Sequence, residues 1–425
     1  MIGSDIVKNK LIILMLIICL FINNPYVYAE RIKATDTSIY EKDLDISIKS
    51  KNIILYNTDD NLLLYKLNSD ERVQIASLTK IMTVYTLIDT IKDLNKEVVI
   101  TADVFKDLNG YVQAGLKEGD KVTYEDLLYG IMLPSGADCV NAAIINSGLT
   151  KEKFIELMNK KAKELNLKNT KFDNGIGMDS DNNYSTASDL SKILMKALEN
   201  KTFKKIYTAR KYTMKNGLKL NSTILSYGGT LNTDNIKGSK SGFTDKAGVC
   251  LSSIAEYNKT NYLLIVLGAN PASKANAVKD TLDIYDYYNK HYSYKKVFTK
   301  NQVLKKLNIK WAKKKQYIIQ SKKDIEVYLD NDIEPDDIEY KYNGVKEINY
   351  KIKKGDKLGT ITAKYNNKTI TTYDAYLDEK IDYYHPVLYT LMIVSFITAL
   401  SSYISIKKTK KKRKKRKKKR KKKRK

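Results

Sequence analysis

Ile75-Ala76-Ser77-Leu78-Thr79-Lys80-Ile81-Met82-Thr83 is the stretch from which the rest of the chain can be read. Leu78, Ile81 and Met82 recur at helical spacing, so a helix is expected to begin at Ala76-Ser77 and to continue to about Ile91. Residues three apart share a helical face, which makes the Ser77 hydroxyl and the Lys80 ammonium neighbours. Free backbone N–H groups and the helix dipole favour negative charge developing at such an end. A lysine acting there as a base must be neutral, and burial or a second nearby cation lowers a lysine pKa. A serine opening a helix is also an ordinary cap, so the pair alone does not name a chemistry.

Composition narrows the alternatives. The 425 residues hold two histidines, His291 and His385, and three cysteines, Cys19, Cys139 and Cys250. A Ser-His-Asp triad would have to use one of those histidines, and zinc hydrolases normally take two or three as ligands. Cys139 and Cys250 sit in apolar contexts and are expected to be small buried residues, too few for a disulfide framework. No metal or organic cofactor is expected. A serine paired with a lysine is the remaining route to nucleophilic catalysis. Ser-x-x-Lys recurs at Ser293–Lys296 and Ser405–Lys408, but at a domain junction and a membrane edge, where it reads as coincidence.

Outward from Ser77, Ile53–Tyr56 and Leu62–Tyr65 read as a hairpin around Asp59-Asp60-Asn61. Tyr124–Leu133, Lys153–Leu165 and Ala187–Leu198 carry apolar residues at helical spacing. Cys250–Ala255 and Tyr262–Leu267 form a second hairpin across Asn258-Lys259-Thr260, and an amphipathic helix follows from about Lys274 to Tyr288. Strands at both ends with helices between predict one sheet assembled from distant parts of the chain. After about Lys296 short alternating runs take over: Ile325–Leu329, Ile338–Tyr342, Ile348–Ile352, Leu358–Ala363 and Thr369–Tyr373, an all-β module of about 90 residues. The single Trp311 and the 32 tyrosines are read as packing residues rather than a carbohydrate platform.

The ends address the chain to a membrane. Lys8 and Lys10, an apolar run from Leu11 to Ile22 and Val27-Tyr28-Ala29 have the order of a cleaved signal peptide, residues 1–29. Residues 386–406 are uncharged and close to the length of a bilayer span, with Tyr383, Tyr384 and His385 at one end. From Lys407 to Lys425, 18 of 19 residues are Lys or Arg. By the positive-inside rule this tail is cytoplasmic and the bulk of the chain extracellular, as a single-pass membrane protein. The formal charge of +28 falls to +10 without those 18 tail charges. A basic run abutting a span is read as a stop-transfer anchor for anionic headgroups, not as a nucleic-acid site.

A second motif lies before the terminal hairpin, in Ile236-Lys237-Gly238-Ser239-Lys240-Ser241-Gly242-Phe243-Thr244. Lys240-Ser241-Gly242 resembles the Lys-Thr/Ser-Gly signature of penicillin-binding proteins and serine β-lactamases. Lys240 offers a cation and Ser241 a hydroxyl to a substrate carboxylate. Gly242 leaves the strand edge open, and the Phe243 N–H can join the Ser77 N–H as an oxyanion hole. With Leu133-Pro134-Ser135-Gly136, Tyr184-Ser185-Thr186-Ala187 with Asp189, and Gly242-Phe243-Thr244-Asp245-Lys246-Ala247-Gly248, residues from about 50 to 375 resemble low-molecular-mass penicillin-binding proteins of the D-alanyl-D-alanine carboxypeptidase type. Lys354-Gly355-Asp356-Lys357-Leu358-Gly359 resembles the family's C-terminal domain.

The resemblance implies an α/β (α+β) catalytic domain of the serine β-lactamase/transpeptidase kind at 30–295. A small all-β domain at 296–385 and one transmembrane helix at 386–406 follow, with the basic tail at 407–425. It implies peptidoglycan stem peptides as substrate and β-lactams as covalent inhibitors. Ser77 would be the nucleophile, Lys80 the base and Ser135 a proton relay, with Lys240, Ser241, Gly242 and Phe243 binding substrate. One departure stands out: the family's middle motif is usually Ser-Gly-Asn, and here it is Ser135-Gly136-Ala137. Asn141, one turn on, is a poor replacement. The missing amide raises a rival reading, a catalytically impaired protein that binds wall peptides or penicillin. A class A β-lactamase would need a Glu-x-x-x-Asn setting, and Glu156 is followed by Lys160 instead.

Overall fold

The structure, a computed structural model, describes residues 29–40, 44–384 and 386–422. The expected signal peptide therefore lies outside the described residues except for Ala29, and His385 does too. By contacts the described residues divide into two units, one within 37–294 with 328–332, the other of residues 29–36, 295–327, 333–384 and 386–422.

The first unit is built on a five-stranded antiparallel sheet. Its strands are β1 (Asn52–Asn57), β2 (Leu62–Leu67), β3 (Ile236–Thr244), β4 (Gly248–Tyr257) and β5 (Thr260–Ala269). Their spatial order is β2-β1-β5-β4-β3, so the two terminal hairpins predicted from sequence meet through β1 and β5, with Leu55 opposite Leu264 and Ile54 opposite Ile265. β3 is left on the edge, paired on one side only, with Lys240 opposite Ser252. The β4–β5 turn places Asn258 and Lys259 at φ 47° and 65°, the double left-handed geometry that suits a two-residue hairpin.

Side chains alternate across the sheet, and both faces are covered. Ile54, Leu263, Ile265 and Leu267 belong to a core shared with the helices α1 (Thr79–Thr90), α2 (Tyr124–Met132), α3 (Ala137–Asn146), α4 (Lys151–Glu164) and α5 (Ala187–Leu198). The other face takes α6 (Ala275–His291), whose Tyr285 hydroxyl bonds Ser253 at 2.9 Å. Threonines start the helices: Thr123 and Asp126 form a reciprocal capping box on α2, and Thr150 and Thr186 cap α4 and α5, each worth about 1 kcal/mol. The Tyr184-Ser185-Thr186-Ala187 motif is thus a helix start. Asp189 completes it by accepting from the Asn169 N–H and the Thr170 hydroxyl.

Helix α3 carries no amphipathic stripe, because Ala137 through Ile144 are all buried, and beyond the single turn from Ala137 to Asn141 its extent was not anticipated. The second unit is β-rich. It holds β6 (Val303–Ile309), β7 (Gln316–Gln320), β8 (Glu339–Gly344), β9 (Glu347–Ile348), β10 (Lys357–Tyr365) and β11 (Lys368–Tyr376), in sheets ordered β7-β6-β9 and β8-β10-β11. The run expected as a strand from Ile348 to Ile352 stops at Ile348. Asn349 accepts from the Lys351 N–H with its side chain and from the Ile352 N–H with its carbonyl, which turns the chain. Residues Glu30–Ile32, grouped by sequence with the first unit, pair parallel with Ile325–Val327. The expected span and tail form one continuous helix, α7 (Pro386–Lys422). It is the one helix among the described residues long and apolar enough to cross a membrane.

Candidate active site

Ser77 sits in a single 3₁₀ turn, Ala76–Leu78, that leads into α1. Ala76 is not helical: its φ is +47°, a left-handed conformation that costs a residue bearing Cβ about 1–2 kcal/mol. The strain is held by packing. Gly177, itself at φ +85°, lies so close that a Cβ there would fall on the Ala76 carbonyl. Gly242 approaches from β3, where a Cβ would lie 2.9 Å from the Ser77 nitrogen and 3.1 Å from the Ala76 Cβ. Glycines from two distant segments therefore close on the same turn.

Lys80, the second residue of α1, donates to the Ser77 hydroxyl at 2.9 Å and to the Ile176 carbonyl at 2.6 Å. It is 2% exposed and Lys240 is 0% exposed. Burial brings the Lys80 ammonium down to about 7, with the Asp138 carboxylate pulling the other way. Lys240 is pushed well below its ordinary value, first by burial and then by the charge of Lys80. A charge on Lys80 thus opposes protonation of Lys240. Lys240 donates to the Ser241 carbonyl at 2.9 Å, and the Ser241 hydroxyl meets that of Thr223 at 2.6 Å and the Tyr227 hydroxyl.

Ser135 lies in the turn between α2 and α3 at φ 72°. Its hydroxyl is buried and has no hydrogen-bond partner among the described residues, so it is not engaged with either lysine. Its turn is tied to the Ser241 neighbourhood through the Thr223 N–H, which donates to the Leu133 carbonyl at 3.1 Å. Ala137, where an amide was expected by resemblance, is 1% exposed. Asn141 does not replace it: its amide is spent on the carbonyls of Val104 and Lys106. The Ile176 carbonyl supplies the second acceptor at Lys80.

Three contributions were not foreseen. The segment 173–179 forms the floor: Asn174 accepts from the N–H groups of Gly177 and Met178, Thr83 donates to the Gly175 carbonyl, and the Thr244 hydroxyl bonds Asp179 at 2.7 Å. Asn174-Gly175-Ile176-Gly177 is visibly a turn sequence, but nothing in it announces a lysine acceptor. Asp138 is fully buried and accepts from the N–H groups of Ala114, Gly115 and Leu116, as well as Cys139. It pins the 114–116 loop to the start of α3. The Lys274 ammonium lies 5.3 Å from the Tyr227 ring centre and 5.7 Å from that of Phe243, carrying a further positive charge to the strand end.

Residues 37–271 match the family model described as D-alanyl-D-alanine carboxypeptidase, and residues 292–383 match that of the penicillin-binding protein 5 C-terminal domain. The chain belongs to the D-alanyl-D-alanine carboxypeptidase family. With that family it is a serine-type peptidase. It is 30% identical over 339 residues to D-alanyl-D-alanine carboxypeptidase DacF of Bacillus subtilis, an alignment covering 77% of this chain and 84% of that one. It is 33% identical over 234 residues to DacC of Escherichia coli, covering 52% and 57% respectively. Among solved structures it resembles penicillin-binding protein 5 of Haemophilus influenzae, with TM-score 0.58, 22% identity, and 80% of this chain and 100% of that one covered. The DD-transpeptidase of a Streptomyces strain matches with TM-score 0.52 and 29% identity, covering 58% and 98%. The carboxypeptidase fold expected from sequence is therefore found.

Proposed function

We propose that this family member removes the terminal D-alanine from peptidoglycan stem peptides through an acyl-enzyme on Ser77. The observation that carries the reading is the 2.9 Å contact between the Ser77 hydroxyl and a buried Lys80 whose proton is held only to about pH 7. Neutral Lys80 takes the Ser77 proton, and the Ser77 oxygen attacks the carbonyl of the penultimate D-alanine. The oxyanion that forms is met by the N–H groups of Ser77 and Phe243, worth roughly 10²–10³-fold per donor. Lys240 and the Ser241 hydroxyl receive the terminal carboxylate, whose negative charge restores the proton to Lys240. Ser135, buried with an unused hydroxyl, passes a proton to the departing D-alanine. Water then cleaves the Ser77 ester. β-Lactams acylate the same hydroxyl. The helix α7 crosses the cell membrane with its basic end inside, leaving the catalytic unit outside.

The rival reading is a binder impaired by Ala137. The Ile176 carbonyl favours turnover, because Lys80 keeps two acceptors without the amide. Release of D-alanine from diacetyl-lysyl-D-Ala-D-Ala decides between them. Wild type is expected to release it and Ser77→Ala is not. Labelling by a tagged penicillin without release would support the binder, and a folded protein that neither labels nor releases would end both readings.

A further inference from the structure

Trp311 is 58% exposed, at the surface rather than in the core. Its setting is specific. The chain leaves the β-rich unit immediately beside it: the Tyr384 N–H donates to the Trp311 carbonyl at 2.6 Å, the Lys313 N–H to the Asp382 carbonyl at 3.3 Å, and Ala312 bridges Tyr383. The apolar helix begins two residues after Tyr384, and the Tyr384 ring packs on that of Tyr389 inside the helix at 5.8 Å. No linker separates the loop at 310–315 from the start of the span.

A second loop joins it. The Tyr383 hydroxyl donates to the Ile352 carbonyl at 3.3 Å, and the Lys310 N–H to the Ile348 carbonyl at 2.8 Å. These bonds hold the 349–354 turn against the same exit strand. That turn exposes Tyr350, at 52%, with Lys351, Lys353 and Lys354, while the first loop exposes Lys313 beside Trp311. Among the cations here, Lys310 and Lys314 are paired with Glu347 and Glu379, and Lys315 lies over the Tyr384 ring. Two exposed aromatic rings, with Lys313, Lys351, Lys353 and Lys354 beside them forming no ion pair among the described residues, flank the point where the chain enters apolar helix.

We propose that the loops 310–315 and 349–354 form a membrane-contact surface, with Trp311 and Tyr350 seated at headgroup depth and Lys313, Lys351, Lys353 and Lys354 facing anionic lipid phosphates. This rests on α7 spanning the bilayer. Amphipathic rings favour that depth, and lysines near a negative surface are attracted within a Debye length. The span fixes the geometry. About twenty apolar helical residues match the hydrocarbon thickness, so the segment next to Val387 lies at its boundary.

Because Trp311 is the single tryptophan, its fluorescence reports the contact directly. The full chain is reconstituted into phosphatidylcholine vesicles with and without about a third phosphatidylglycerol. Retention with the vesicles through an alkaline wash reads the span. Quenching of Trp311 by shallow brominated lipid, and by aqueous iodide, reads the surface. The expected result is retention, strong bromolipid quenching and iodide access reduced severalfold, both greater with phosphatidylglycerol. Reversal of Lys313, Lys351, Lys353 and Lys354 to Glu should abolish that dependence on anionic lipid while the chain remains retained. Loss in the wash overturns the span and the surface together. Retention with Trp311 open to iodide and untouched by bromolipid overturns the surface alone, as does charge reversal without effect. A Trp311 emission shift produced by soluble wall fragments in the absence of lipid would assign the rings to a wall ligand instead.

Discussion

The Ser77 backbone nitrogen and Gly242 are in contact across the two halves of the catalytic unit, so close that a methyl group on Gly242 would lie 2.9 Å from that nitrogen. Neither the 3₁₀ turn nor β3 can yield without moving one of the two N–H groups proposed to meet the oxyanion. Gly242→Ala should therefore lower the second-order rate of acylation by benzylpenicillin about 10²–10³-fold, with thermal stability changed much less. An unchanged acylation rate would mean that the strand and the turn do not share the oxyanion.

The pH profile follows from the base. Protonated below about 7, Lys80 could not serve there as the proposed base for Ser77. The acylation rate should therefore climb roughly tenfold per pH unit up to about 7 and then level. The same shift acts on stability. Lys80 binds its proton more weakly folded than unfolded, so stability should rise with pH from about 7 toward the ordinary lysine value of 10.5. Denaturant unfolding of Lys80→Met across that window should show a flatter dependence.

Ala137→Asn reinstates the amide seen in the family's middle motif. Lys80 already has two acceptors, so the gain in D-alanine release should not exceed about tenfold, the value of one net hydrogen bond. The larger side chain enters a closed site at the start of α3 and should cost about 1–3 kcal/mol of stability. Thermal unfolding measured alongside turnover separates the two effects.

Asp138→Ala removes the acceptor of four backbone N–H groups. The 114–116 loop should loosen and stability should fall by about 3 kcal/mol. Asp138→Asn, which keeps an acceptor oxygen, should lose less. Hydrogen exchange at Ala114, Gly115 and Leu116 is the local readout: fast exchange in the alanine variant is expected, and protection equal to wild type would refute the clamp.

Gly177→Ala places a side chain in a left-handed position against the Ala76 carbonyl. It should destabilise the fold by more than 1 kcal/mol and free the Ser77 turn. Acylation should fall even at temperatures where the variant is folded by circular dichroism.

What was legible in the sequence divides along physical lines. Spacing gave the Ser77–Lys80 pair because residues three apart meet on any helix. Alternation gave the two hairpins, and span length gave α7. Lys240, Ser241 and Gly242 were found by resemblance, since nothing local places a strand beside a helix start 160 residues away. The Ile176 acceptor was invisible because a backbone carbonyl has no residue identity. The extent of helix α3 was hidden because burial on all sides erases its periodicity. Ser135 was given its role by resemblance, and its hydroxyl has no partner among the described residues. Whether Trp311 packs in the core or at the surface was not legible, because an aromatic residue looks the same in either sequence setting.

The Ile176 carbonyl that Lys80 bonds lies about 100 positions beyond it and Lys240 about 160, and burial among such distant segments is what loosens the Lys80 proton. An unfinished chain therefore carries a common alcohol beside a common protonated amine, with no appetite for esters or amides. On the proposed mechanism, reactivity arrives only when the last strands close.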